Sequence, residues 1–348
     1  MSGRLEAVNI VIPNWNGLRF LPDCLFSIER QQCLDWRITV VDNGSTDGSV
    51  EYLRKAHPQA HVISLPENRG FSAAVNAGIL SSACLFVFLL NNDTELPPDC
   101  LHQLLKTADA LPEYDFFAPK MLSFHERSVL DGAGDGFLRG GAGYRLGTME
   151  KDGAIYNQPG PVFGACAGAA LYRRNIFDRI GLFDEDFFAY LEDVDFNLRP
   201  NRAGCKGYYV ASAKVYHIGS ATSGSKFNPF TIRLSTRNSF YVLLKHYSLP
   251  LFLRFLPVIA IYQFLWLIFS VKKGHCCAWC QGIAEALANC STMWKKRQEI
   301  NRHDRLTTAE FVVVLRQAEQ TAVHSIMRRR EEQGKDNWML RCYKALFL

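Results

Sequence analysis

Apolar runs and helical periodicity alternate along the first 110 residues. AVNIVIP (residues 7–13) is a short continuous apolar run and predicts a strand. Residues 18–32 come next, with Phe20, Leu21, Leu25 and Ile28 near helical spacing. RITVVD (37–42) predicts a second strand, and NGSTDGS a turn with Ser45 or Thr46 as N-cap of the helix SVEYLRKAH. HVISLP (61–66) is a third strand, FSAAVNAGILSSA a helix of small residues, residues 85–90 a fourth strand and 98–110 a further helix. Strands alternating with helices imply right-handed crossovers and an α/β fold with a mainly parallel, doubly wound sheet.

Ligands of such sheets sit beyond the carboxyl ends of the strands. Each of these ends is polar here: PNWNG, DNGSTDGS, PENRG and NNDTE. One polar end is a turn; four on one rim predict a binding site. Neither a GxGxxG dinucleotide fingerprint nor a GxxxxGK phosphate loop comes after strand one. Phosphate charge on this rim then calls for a cation held by oxygen ligands. Asp93 at the end of strand four is one candidate ligand, and His217 in KVYHIGS is a second.

The middle of the chain is less regular. Residues 131–161, containing DGAGDGFLRGGAGYRLG, lack periodicity and predict mobile loops over a site. VFGACAGAALYRR offers small residues that let a ligand approach the backbone. GLFDEDFFAYLEDVDFNLRPNRAG is dense in aromatics and carboxylates. Glu192 and Asp193 suit the first turn of a helix, where acids complement its dipole, and a carboxylate beside aromatic walls also suits a general base. YYVASAKVYHIGSATSG predicts strands ending in a loop.

After residue 230 the composition shifts. FLPVIAIYQFLWLIFSV (255–271) carries no charge, with Arg254 before it and Lys272 and Lys273 after it. Its length is at the lower edge of a spanning helix, and flanking cations with internal Tyr262 and Trp266 suit a membrane interface. A second apolar helix is expected over 278–293, ending in Trp294, Lys295, Lys296 and Arg297, and an amphipathic one over 307–330. The division expected is 1–230 for the α/β domain bearing the polar rim and 231–348 for a helical region that meets the membrane.

Composition narrows the partners. A formal charge of +5, with Arg328–Arg329–Arg330 as the lone basic block and expected on a solvated helix face, does not argue for nucleic acid. Eleven cysteines are scattered without a pairing pattern, and MSGRLEAVNIVIP runs straight into a strand without a signal peptide, so a reduced, cytosolic setting is expected. Cys276, Cys277 and Cys280 lack a second pair at zinc spacing and are expected as small helix residues.

Taken together, these segments resemble family 2 glycosyltransferases of the GT-A fold, most of all the rhamnosyltransferase-like group that builds bacterial surface polysaccharides. The resemblance runs in order over residues 8–297. VIPNWNG, with Pro13, Asn14, Trp15 and Asn16, resembles the opening nucleotide strand, and VVDNGSTDGS the second, in which Asp42 would read the base. PENRGFSAAVNAGI, with Arg69 and Asn76, resembles the phosphate-side segment. LLNNDTELPPD resembles the metal motif, with Asn91 and Asn92 on the donor and Asp93 on the metal. The segment around Glu192 and Asp193 resembles that of the catalytic base, VYHIGSAT the one whose histidine ligates metal, and STRNSFYVLLKH the Arg-Asn helix after it.

Two departures stand out. Asn91 replaces the first acid of the D-x-D motif, and Pro200 falls where the family continues a helix, so the helix is expected to end or kink there. The Q-x-x-R-W signature of processive synthases is missing, which favours transfer of a single sugar. The resemblance implies inversion, Mg²⁺ or Mn²⁺, a nucleotide diphosphate donor such as dTDP-rhamnose, and a lipid-linked or polysaccharide acceptor at the cytoplasmic face of the inner membrane. The alternatives are a non-catalytic nucleotide-sugar-binding subunit and a sugar nucleotidyltransferase. The latter needs a glycine-rich, basic loop after strand one, which PNWNGLRF lacks.

Overall fold

The structure, a computed structural model, describes residues 7–33, 35–219 and 227–348; Ser220, Ala221 and Thr222 of the VYHIGSAT segment lie outside them. The first half winds as β1 (Val8–Asn14), α1 (Leu21–Glu29), β2 (Trp36–Asn43), α2 (Ser49–Ala56), β3 (His61–Leu65), α3 (Gly70–Leu80) and β4 (Phe86–Leu90). Then come β5 (Thr94–Glu95), α4 (Cys100–Ala110), β6 (Phe116–Ser123), β7 (Leu130–Gly132), β8 (Asp135–Leu138), β9 (Ala142–Arg145), β10 (Gly160–Val162), β11 (Ala169–Arg173), α5 (Asn175–Ile180), α6 (Glu192–Arg202) and β12 (Gly207–His217). Helices α7 (Pro229–His246), α8 (Leu249–Lys272), α9 (Cys276–Ala288), α10 (Cys290–Asn301), α11 (Thr308–Glu332) and α12 (Trp338–Phe347) complete the chain.

The large sheet has the order β10-β12-β6-β11-β4-β1-β2-β3. β4, β1, β2 and β3 run parallel, as do β6 and β12, and β11 runs against both neighbours. Strands buried on both faces read as continuous apolar runs, which is why VNIVI and FVFLL carry no polar alternation beyond Asn9. One apolar cluster packs α1 and α4 on one face, and a second packs α3, α5 and α6 on the other. Helix α3 is built from small residues because it lies close on the sheet. A Cβ at Gly78 would stand 2.3 Å from Cγ1 of Val11, and the Gly78 carbonyl accepts from Asn9 at 3.0 Å.

Several expectations need correction. Helix α2 starts after Gly48, not at Ser45 or Thr46: the Asp47 carboxylate takes the Ser49 N–H at 3.0 Å, while Thr46 N–H is spent on Asn16 Oδ1. Pro200 sits inside α6, which runs two residues further. The apolar stretch expected as one helix over 278–293 is broken into α9 and α10 at Asn289. Cys276, Cys277 and Cys280 lie on α9 but are exposed, and all eleven cysteines are free. Arg328 is not on a solvated face: its guanidinium meets the fully buried Glu150 and the Tyr156 hydroxyl.

The largest correction concerns residues 131–161. They are a set of short strands rather than loose loops, with β8 and β9 pairing as a hairpin from Asp135↔Arg145 to Leu138↔Ala142. Phe137 is fully buried against the C-terminal helices. At the hairpin turn, buried Arg139 gives its backbone N–H and guanidinium to buried Glu319 of α11. The Tyr343 hydroxyl donates to the same carboxylate at 2.8 Å.

This pair predicts a stability contrast. Glu319→Ala strands a buried guanidinium and should cost about 3–5 kcal/mol. Glu285→Ala removes half-exposed contacts to Arg233 and Arg237, each at 3.5 Å, and should cost about 0–1 kcal/mol. Urea denaturation of the two variants beside the unmodified protein checks it.

Candidate active site

The polar ends of β1, β2 and β4 open onto one cavity of about 1020 Å³. Pro13, Asn14 and Trp15 form one wall, with Trp15 39% exposed. Asn14 is fixed from below: its amide donates to Asp42 Oδ1 at 3.1 Å and its oxygen accepts from Asn92 at 2.7 Å. Asp42 itself is buried behind this wall, with its other oxygen on the Ser45 N–H at 3.0 Å. Asn16 ties the same corner to Ser45 and Thr46. Asn91 and Asn92 line the cavity, Asn91 held by the Gly168 carbonyl on its N–H at 2.8 Å.

Arg69 and Asn76 do not line the cavity. Both reach Glu185, at 3.2 Å each, and Asn76 also bridges the Phe183 N–H and carbonyl. They hold the base of the segment leading to α6.

The second wall is ionic. His217, at the end of β12, places Nε2 3.3 Å from Asp93 Oδ1 and Nδ1 2.7 Å from Asp131 Oδ2. Burial works against its charge, yet the two carboxylates raise its pKa to about 9. Asp93 is further fixed by the Gly219 N–H on Oδ2 at 3.2 Å. Arg145, from the end of β9, pairs with Asp131 on one side and meets the Cys166 sulfur at 2.8 Å on the other.

The third wall is the start of α6. Phe188, Tyr190 and Leu191 all have φ between 63° and 68°, a backbone that non-glycine residues rarely adopt. The strain is held by α7. The Asn238 amide donates to the carbonyls of Phe187, Ala189 and Tyr190 at 3.0, 2.9 and 2.6 Å, and Arg237 adds a bond to Phe187 at 2.8 Å. This turn delivers Glu192 and Asp193 to the cavity. The third acid of the cluster, Asp195, faces the other way. It is fully buried against Lys245 at 2.6 Å, Arg199 at 3.2 Å and His246 at 2.9 Å, and the two cations with the His246 hydrogen bond hold it ionised well below the usual carboxylate range despite burial.

Asp193 sits beside two groups that the sequence pattern does not single out. Oxygens of Asp135 and Asp193 and the Cys166 sulfur all lie within 4.8 Å of one another. Burial raises all three carboxyls of this region: Glu192 goes well above its usual range, and Asp135 reaches about 7, pushed further by Asp193. Asp193 is also raised by burial, but the Arg145 charge and the Val194 N–H pull it back. Asp131, Asp135 and Arg145 are hidden in the glycine-rich segment; their one signal is that they and Arg139 are four charged residues within a stretch otherwise made of small and apolar residues.

Among the described residues the cavity therefore carries four carboxyl groups, Asp93, Asp131, Glu192 and Asp193, against two basic side chains, Arg145 and His217. Oxygen and imidazole donors with a surplus of acid suit a hard divalent cation. Opposite stands an amide-lined wall with an exposed indole, the kind of surface that stacks a planar ring.

Comparison with known proteins agrees with this geometry. The family model described as glycosyl transferase family 2 matches residues 9–181. An N-acetylglucosaminyl-diphospho-decaprenol L-rhamnosyltransferase of Mycobacterium tuberculosis is 28% identical over 228 residues, 59% of this chain and 73% of that one. A PGL/p-HBAD biosynthesis glycosyltransferase of Mycobacterium bovis is 30% identical over 195 residues, 55% of this chain and 68% of that one. Among solved structures, GalNAc-T7 crystallised with UDP, GalNAc and Mn²⁺ matches with a TM-score of 0.55 at 15% identity, covering 69% of this chain and 50% of that one. S. aureus TarS matches with a TM-score of 0.51 at 15% identity, covering 94% and 92%. These two likenesses show a GT-A-like α/β fold with C-terminal helices after it. The chain belongs to glycosyltransferase family 2, in its rhamnosyltransferase-like part, and is an enzyme of the transferase class.

Proposed function

We propose that this enzyme moves a single sugar, with inversion, from a nucleotide diphosphate donor to a lipid-linked acceptor in bacterial surface glycan synthesis. The observation that carries the reading is that one cavity joins the Asp93–His217 wall, the Asn14–Trp15 wall and the turn bearing Asp193. The rhamnosyltransferase relative, whose name specifies L-rhamnose and a diphospho-decaprenol acceptor, favours rhamnose and a lipid diphosphate acceptor; dTDP as the carrier and the cytoplasmic face of the inner membrane are part of the same proposal. Residues 1–230 then serve as the catalytic domain and 231–348 as the helical region toward the membrane.

Trp15 covers the base of the donor, and Asn14, backed by the Asp42 carboxylate, meets its edge. Asn16 fixes that corner, Pro13 shapes it, and Asn91 and Asn92 face the sugar and ribose. Arg69 and Asn76 act through Glu185 on the loop before α6. Asp93 and His217 would hold Mg²⁺ or Mn²⁺, which stabilises the developing charge of the departing diphosphate. Fit to this group rests on the donor set: a carboxylate with a backbone N–H behind it, an imidazole whose Nδ1 is fixed by Asp131, and surplus acid around them.

Asp193 takes the proton from the acceptor hydroxyl as that oxygen attacks the anomeric carbon from the side opposite the diphosphate. Its neighbours sort the carboxyls into roles. Glu192, pushed well above its usual range, stays protonated and neutral beside it. Arg145 favours the ionised form of Asp193. A binding subunit without catalysis would have no use for this separation.

Asp193→Asn should lower turnover at least about a hundredfold while donor binding stays within a few-fold, the loss expected of a general base. A panel of nucleotide sugars with Mg²⁺, Mn²⁺ or chelator, read by calorimetry and by product formation, checks both halves. Turnover unchanged in the variant overturns the base; turnover unchanged by chelator overturns the metal.

The pH profile gives a second check. The base works ionised and its pKa is raised, so kcat/KM should fall as pH drops through a value above the ordinary aspartate range. Arg145→Met removes the charge that lowers this pKa, so the acid limb should move to higher pH. A limb that stays in place would show that another group titrates.

A further inference from the structure

Helix α8 is long and apolar enough to cross a bilayer, with a mean hydropathy of 2.0 in its most apolar window and 22% of that window buried. Its two faces differ. Phe255, Val258 and Ile259 are buried against the protein. On the same side Gln263 donates to the Gly140 carbonyl at 3.0 Å and to the Ser239 hydroxyl at 2.8 Å, and the Trp266 indole donates to Thr236 at 2.8 Å. The opposite face carries Leu249, Leu253, Leu256, Phe264, Leu265 and Val271, all exposed. These repeat at helical spacing along 24 residues, about 36 Å of helix.

The orientation of α8 is decided by the chain beyond it, which returns to the catalytic domain. Lys296 of α10 pairs with Asp184 and Asp186, Arg297 donates to the Tyr247 carbonyl at 2.7 Å, and Asp304 pairs with Arg202 of α6. Both ends of α8 are therefore tied to one body, and a bilayer cannot separate them without breaking these pairs. A second apolar face lies alongside. α12 exposes Trp338, Met339 and Leu346 at positions i, i+1 and i+8. Its end is linked to α8 through Arg139, which donates to the Phe347 carbonyl at 2.9 Å and lies 4.8 Å from the centre of the Phe255 ring. Arg254 and Lys272 on α8 and Lys273 just after it supply positive charge at the edges.

We propose that α8 and α12 form a monotopic docking surface for an anionic phospholipid bilayer, with α8 lying in the interface plane rather than crossing it. Apolar side chains enter the acyl boundary while the flanking cations meet headgroups. This surface rests on the lipid-borne acceptor of the proposed function and deepens that reading. The β8–β9 hairpin joins the two regions: its turn at Arg139–Gly141 sits against α8 and α12, and its other end carries Asp135 and Arg145 at the active site. Four residues of strand span about 13 Å, so an acceptor diphosphate held at the headgroup level is within reach of the cavity.

The test uses the full chain and mixed phosphatidylcholine–phosphatidylglycerol vesicles. The unmodified protein should float with them. Leu253→Glu with Phe264→Glu, and separately Trp338→Glu with Leu346→Glu, should each lower the bound fraction at least about tenfold, since each places two charges in the acyl boundary, without changing lipid-free donor turnover. A membrane-impermeant maleimide should label Cys290, exposed at the start of α10, on sealed vesicles without detergent. A spanning α8 would carry Cys290 into the lumen and protect it. Flotation undiminished in both double variants overturns the surface, and protection of Cys290 overturns the orientation. If a variant loses donor turnover as well, it has lost its fold, and labelling of the unmodified chain decides. Vesicle binding without transfer to any lipid-borne acceptor contradicts the acceptor and leaves the docking surface standing.

Discussion

The active site depends on one clamp between α6 and α7. Asp195 is buried completely and stays ionised because Lys245 of α7 and Arg199 of α6 pair with it and His246 of α7 hydrogen-bonds it, and Asn238 of α7 holds three carbonyls of the turn before α6. Left-handed backbone at three non-glycine residues is costly, of order 1–3 kcal/mol each, and persists only where the surroundings over-determine it. Here the surroundings include the Asn238 amide, the Arg237 guanidinium and a buried charge. Their effect is to turn Asp193 into the cavity while Asp195, two residues on, points into the protein. Arg237 and Asn238 of α7 thus act on this turn without lining the cavity themselves.

The clamp also explains the division of labour among the acids. Five carboxyl groups lie within a short distance of the cavity, and water alone would leave all of them charged. Burial disfavours the charge at Glu192 and Asp135, and Arg145 tips the balance at Asp193. Asp131 is engaged twice, by Arg145 and by His217, so the hairpin connects the cation wall to the base wall. At its far end the same hairpin is fastened to α11 by Arg139 and Glu319.

The parallel half of the sheet is legible in the sequence because its strands are buried on both faces and therefore apolar throughout. The rim is legible because polar residues interrupt those runs at the same end of each strand. Asp93, His217 and Asp193 stand out in this way, by position and by resemblance. The hairpin escapes because four-residue strands rich in glycine carry no period, and its partner is α11, nearly two hundred residues away. Pro200 misleads because a proline costs one hydrogen bond, and α6 tolerates that loss where Arg199 and Asn201 bind neighbouring carbonyls. The cap of α2 misleads because Ser45 and Thr46 are spent on Asn14 and Asn16, leaving Asp47 to hold the helix start. Spacing along the chain cannot show that a side chain is already taken.

The proposed chemistry centres on a single displacement at the anomeric carbon, with Asp193 as the base and no covalent glycosyl-enzyme between. Proton NMR of the product formed in the first turnovers reads the anomeric configuration directly. A configuration opposite to that of the donor is predicted. Retention of the donor configuration would contradict the single displacement, because two displacements would then be needed and Asp193 would not be their base.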